Sequence, residues 1–177
     1  MVNSGEYVGE NWERNIMIFN SELEMSVLFR EYLEKKYDTK NSAYIIEEFI
    51  SPFGIPDYMV VEYDNNSIKS IISFELKLSS WKRGLVQAFK YKSFSNISFL
   101  VLDGDKKELI KKNISNFKNS NIGLAVFNNK KEIEILFLPS IESPYSSLNT
   151  KRVVKKLEED KLLSNINSTN SFENIFL

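Results

Sequence analysis

Neither histidine nor cysteine occurs among the 177 residues of this chain. Without imidazole, a Ser-His-Asp triad, a Cys-His dyad, an HExxH zinc protease and His-based nuclease chemistry are all excluded. Without a thiol, disulfides, thiolate nucleophiles, iron–sulfur ligation and cysteine-zinc sites are excluded with them. The six glycines, at 5, 9, 54, 84, 104 and 123, form neither GxxxxGK nor GxGxxG, which argues against a nucleotide cradle and an ATPase. Charge of one sign is lacking too. With 23 basic and 24 acidic residues the formal charge is −1, so any polyanionic partner must be met by a local basic patch. No apolar stretch is long enough to span a bilayer, and MVNSGEYVGENWERN has neither a basic nor an apolar leader region. The chain therefore reads as intracellular, with a cytoplasmic location and no membrane partner expected.

What is left for catalysis is carboxylates, Lys, Arg, Tyr, Ser and Thr, best combined with an oxygen-loving metal such as Mg²⁺. A composition 42% hydrophobic and 27% charged belongs to one soluble globular domain with a sizeable core. Residues 1–163 are expected to form it. Residues 164–177, SNINSTNSFENIFL, read as a polar tail, either a disordered end or an apolar clip through Phe172, Ile175, Phe176 and Leu177; the first is the expectation.

Met25, Leu28, Phe29, Tyr32 and Leu33 recur at helical spacing over 21–36, with Ser21 and Glu24 as a capping box. Runs at 43–50, 57–64 and 68–78, separated by SPFGIP and NNS, predict an antiparallel meander. A helix over 81–94, with Leu85, Ala88 and Phe89 inward, crosses to a strand at 97–103 that is apolar throughout and so buried on both faces. A Lys-rich helix over 105–118, a strand in NIGLAVFN, a second in KEIEILFLP joined through an Asn128-Asn129 turn, and a charged helix over 150–163 complete the reading. The lysines of 105–118 are expected to face solvent. Lys151, Arg152, Lys155 and Lys156 are expected to pair with the acids that follow them.

Alternation on the strand at 68–78 puts Ile72, Phe74, Leu76 and Leu78 on one face and Ser73, Glu75 and Lys77 on the other. Asp57 opens the neighbouring strand, where antiparallel pairing can bring its carboxylate beside Glu75. Two adjacent carboxylates repel unless a cation lies between them, and Mg²⁺ assisted by Lys77 answers that need. Such a set suits phosphodiester hydrolysis by activated water, with the Lys77 ammonium orienting or deprotonating that water or offsetting developing charge. On the helix at 81–94, Arg83, Gln87 and Lys90 form a stripe opposite Leu85 and Phe89, able to hold phosphates; Trp81 and Lys82 add stacking and a backbone contact.

Pro56-Asp57, a gap of seventeen residues, and Glu75-Leu76-Lys77, in this element order, resemble the PD-(D/E)XK nuclease superfamily, the restriction-endonuclease-like fold. The resemblance runs from about residue 21 to 103 and implies a mixed-sheet α/β (α+β) protein with an αβββαβ core and flanking helices. It implies Asp57, Glu75 and the Leu76 carbonyl as ligands of Mg²⁺, with Mn²⁺ substituting, and Lys77 at the attacking water. Family members often add a glutamate from the first helix. Glu22, about 50° from the centre of the apolar stripe, is preferred to Glu24 at about 110°. Gln87 and Tyr91 stand in the QxxxY pattern of many members. The expected activity is a magnesium-dependent deoxyribonuclease, an endonuclease first, acting on duplex DNA, with a homodimer and a regulatory protein as possible partners. The alternatives are RNA as substrate, or a non-catalytic nucleic-acid or protein binding module on the same fold.

Overall fold

The computed structural model describes residues 18–37, 43–64 and 67–159. The expected tail lies outside them. Helix α1 (Glu22–Tyr37) leads into strands β1 (Ala43–Glu47), β2 (Tyr58–Asp64) and β3 (Ser67–Lys77), then α2 (Trp81–Tyr91) and β4 (Ile97–Asp103). After a 3₁₀ turn at Gly104–Lys106 come α3 (Lys107–Lys111), α4 (Ile114–Ser120), β5 (Gly123–Phe127), β6 (Ile133–Phe137) and α5 (Ser147–Glu159). The six strands form one sheet in chain order. β1, β2 and β3 pair antiparallel, β3 with β4 and β4 with β5 parallel, and β5 with β6 antiparallel. The protein is thus a mixed α/β molecule whose first six elements run αβββαβ, consistent with a nuclease-like core.

Alternation assigns the two faces of the sheet. Ile72, Phe74 and Leu76 of β3 join Tyr58 and Val60 of β2 beneath Met25, Phe29 and Leu33 of α1. Phe29 sits at the centre of that layer, its ring 5.3–5.7 Å from those of Phe127, Phe74, Tyr58 and Tyr32. On the opposite face, Leu100 and Leu102 of β4 and Leu124 of β5 meet Ala88, Ile110 and Phe117. Met59, Val61 and Ile71 there meet Tyr91, Phe94, Val153 and Leu157. β4 and β5 are buried along their whole length, as strands covered on both faces must be.

Three expectations change. The 105–118 helix is broken into the 3₁₀ turn, α3 and α4, because Asn113 turns its side-chain amide onto the Leu109 carbonyl at 3.0 Å and competes with the backbone ladder. The first strand stops at Glu47, since Glu48 takes a positive φ of 46°. The final hairpin uses the five residues 128–132, pinned by Asn128 Oδ1 accepting from the N–H groups of Lys130 and Glu132.

The contact of α2 with the sheet depends on Gly84. A Cβ there would stand 2.5 Å from Leu100 Cδ1 and 3.0 Å from Lys77 Cγ, and Leu100 is fully buried, with no room to turn away. Gly84→Ala is therefore expected to lower stability by about 1–3 kcal/mol through overpacking, against a helix-propensity gain of about 1 kcal/mol. A thermal melt checks this, and an unchanged or higher Tm would contradict the close approach.

Candidate active site

The last hydrogen-bonded pair between β2 and β3 is Tyr58 with Phe74. One step further along the antiparallel register brings Asp57 opposite Glu75. Pro56 fixes the approach to the strand, and the Asp57 carbonyl accepts from Glu48 N–H at 3.1 Å. The Asp57 carboxylate is held by Leu76 N–H, donated to Oδ2 at 2.7 Å. Burial pushes the Asp57 carboxyl above the ordinary carboxylate value; the Leu76 N–H and Lys77 draw it back down, while Glu22 and Glu48 add to the rise.

Glu75 is 1% exposed, an extreme position for a carboxylate. Oε1 meets Lys77 Nζ at 2.6 Å and Oε2 meets the Tyr91 hydroxyl at 2.6 Å. Burial, then the charge of Asp57, raises its carboxyl; the bonds from Lys77 and Tyr91 oppose that. The Tyr91 hydroxyl also lies 2.9 Å from the Ile55 carbonyl. One phenolic proton thus faces two acceptors, the Glu75 carboxylate and the Ile55 carbonyl. Burial, then Glu75, holds Tyr91 far above the usual phenol range. Gly54, at φ 135°, lies under the Tyr91 ring, where a Cβ would be 2.9 Å from Cε1. Loop 48–57 therefore positions Tyr91 as well as Asp57. The sequence marked Tyr91 by pattern, but the role of Ile55 and Gly54 needed the fold.

Lys77 Nζ contacts Glu75 Oε1 and, at 2.9 Å, the Leu76 carbonyl. Its ammonium therefore engages two of the oxygens expected to bind a cation. Glu22 Oε1 reaches Leu78 N–H at 3.5 Å, at the edge of the site. Glu24 is used elsewhere: its N–H donates to Ser21 Oγ at 3.1 Å and its Oε2 accepts from Asn20 N–H at 2.8 Å, capping α1. Gln87 is half-buried on the inner flank of α2, and its Oε1 is buried without a protein partner. Arg83, Lys90 and Lys82 are exposed on the outer flank. Phe89 departs from expectation. It is 46% exposed and shares the outer face with the basic residues, because the buried side of α2 is Gly84, Ala88 and Tyr91. Trp81 is half-buried, its ring packed on Phe117 at 6.1 Å with Lys82 Nζ 5.6 Å from its centre.

The donor set suits a hard cation. Two carboxylates and a carbonyl are all oxygen, and they crowd two acids around one ammonium. Among the described residues no three Asp, Glu, His or Cys side chains form a complete metal cage.

No protein-family model matches the chain, and no curated protein does. Among solved structures, a protein of unknown function from Silicibacter pomeroyi is similar over 75% of this chain and 83% of its own, at 15% identity and a TM-score of 0.52. SfsA from Pyrococcus furiosus, described in complex with Ca²⁺, aligns over 68% of this chain and 64% of its own, at 13% identity and a TM-score of 0.38. The first of these likenesses shows the fold alone.

Proposed function

We propose that this chain is a divalent-metal-dependent nuclease that hydrolyses phosphodiester bonds in DNA, acting as an endonuclease. The observation that carries the reading is the meeting of Asp57, Glu75, the Leu76 carbonyl and Lys77 where β2 begins and β3 ends. Asp57, Glu75 and the Leu76 carbonyl would hold Mg²⁺ or Mn²⁺, with Glu22 at the rim. A cation there supplies positive charge to the phosphoryl oxygens as the bond breaks. Lys77, on the same face of β3, orients the attacking water and offsets charge built up in the transition state. Tyr91 fixes the rotamer of Glu75, and Arg83, Lys82 and Lys90 offer donors for neighbouring phosphates.

The reading is tested by linear duplex, circular duplex, single-stranded DNA and RNA, each incubated with Mg²⁺, Mn²⁺ or EDTA. Metal-dependent opening of the circle supports an endonuclease. In parallel, Mg²⁺ at about 100 times its Kd is expected to stabilise the protein by about 2.7 kcal/mol, a Tm rise of about 5–10 °C for a domain of this size. No metal-dependent shift, with no substrate cut, would favour a non-catalytic binding module on this fold.

A further inference from the structure

α2 carries a second feature that phosphate contacts alone do not explain. At 100° per residue, the path around the helix from the site passes Tyr91, Gln87, Arg83, Lys90 and Lys82, and ends at Phe89. Phe89 is paired with Tyr145, ring centroids 5.9 Å apart, and the two are 46% and 57% exposed. Such rings are ordinarily turned inward. This pair is held in place from behind: Tyr145 N–H donates to the Lys92 carbonyl at 3.0 Å, and Lys92 Nζ stands 4.7 Å from the centre of the Tyr145 ring. Lys92 itself is buried and fixed by Glu142 at 2.8 Å and the Ser120 carbonyl at 3.0 Å.

The charges beside the rings lack carboxylate partners. Lys106, Lys107, Lys111 and Lys131 pair with Asp105, Glu134, Glu108 and Glu31. Among the described residues, Lys82, Arg83 and Lys90 meet no carboxylate within ion-pair distance. Exposed aromatic rings next to cations without a carboxylate partner match a polyanion that also has flat apolar faces to offer. Single-stranded nucleic acid has both, whereas a duplex hides its base faces in the stack. The arc of about 200° from Tyr91 to Phe89 along that path, on a helix about 11 Å across, is on the order of 19 Å, or about five to six stacked nucleotides at 3.4 Å each.

We infer that Phe89 and Tyr145 form a stacking platform for unpaired bases, with Lys82, Arg83 and Lys90 guiding the backbone between platform and site, so that the preferred substrate is single-stranded there. The substrate assignment rests on the nuclease reading; the binding claim is tested apart from it.

The experiment is fluorescence anisotropy in EDTA with a labelled oligo-dT of roughly 20 nucleotides, a duplex of the same length, and an abasic strand carrying the same phosphates. Wild type is expected to bind oligo-dT more tightly than duplex. Phe89→Ala and Tyr145→Ala are each expected to weaken oligo-dT binding roughly tenfold and to leave abasic binding unchanged, since base–aromatic stacking is sequence-tolerant and needs the base. Phe89→Leu, which keeps apolar bulk without an aromatic face, is expected to behave like Phe89→Ala, with Tm values confirming that each variant is folded. Oligo-dT affinity unchanged in these variants, or lost equally for the abasic strand, overturns the inference. Sedimentation showing that Phe89→Ala dissolves a dimer without altering oligonucleotide affinity also overturns it, by making the face a self-association surface. The expected binding pattern without metal-dependent cutting upholds the platform and removes the nuclease reading; cutting with unaffected variants does the reverse.

Discussion

Glu75→Gln is expected to reduce cleavage by about 10³-fold or more while raising the Tm measured in EDTA at about pH 8. The loss follows from removing one of the two carboxylates that would hold the cation. The gain follows from the hydrogen bonds Glu75 already makes. A glutamine of the same shape can accept from Lys77 Nζ and donate its amide to Tyr91 Oη, freeing the phenolic proton for the Ile55 carbonyl. It also ends the repulsion with Asp57. The pH dependence has a definite sign. The folded-state carboxyls of Asp57 and Glu75 are raised above their unfolded values, so the native state binds more protons in the interval between them. Their contribution to stability is full below the unfolded value of about 4 and is lost as pH rises through the folded values. The stabilising effect of Glu75→Gln should therefore shrink on acidification. Melts across that interval check it, and a Glu75→Gln protein that unfolds at every pH would show the carboxylate to be structural.

Lys77→Met is expected to abolish cleavage by a factor of about 10²–10⁴ and to keep the response to metal. Lys77 Nζ contacts both Glu75 Oε1 and the Leu76 carbonyl, so removing the ammonium leaves those oxygens to the cation. Mg²⁺ should then raise the Tm of the variant at least as much as that of wild type. In EDTA the variant should melt lower, because Glu75 is left buried beside Asp57 without its paired cation; breaking a buried pair costs about 3–5 kcal/mol. Since Lys77 is 12% exposed, the lower part of that range is expected. Titration calorimetry with Mg²⁺ alone separates the two roles, and a variant that binds no metal would make Lys77 a structural support of the ligands.

The juxtaposition of Asp57, Glu75 and Lys77 was legible because a period of two is hard to disguise. Ser73, Glu75 and Lys77 share a face whatever the register, and a proline before Asp57 marks where the neighbouring strand starts. Burial of β4 and β5 followed from apolar runs in the same way. The surroundings were less legible, for reasons particular to the residues. α2 packs through Gly84 and Ala88, small residues that carry little hydrophobic signal, so Phe89 looked like the inward residue and proved to be an outward one. Loop 48–57 positions Tyr91 through a glycine at positive φ and a backbone carbonyl, neither of which has a side-chain signature. The break between α3 and α4 turned on one asparagine amide, a local competition that periodicity averages away.

The central claim is that Asp57, Glu75 and Lys77 form one metal-dependent hydrolytic site, and the most direct measurement is cleavage of circular duplex and single-stranded DNA by wild type and Lys77→Met, with Mg²⁺ or EDTA, beside the Mg²⁺-induced Tm shift of each. The expected result is cutting by wild type with Mg²⁺ alone, and no cutting by Lys77→Met although Mg²⁺ still raises its Tm. Cutting that survives in Lys77→Met, or that proceeds in EDTA, would contradict it.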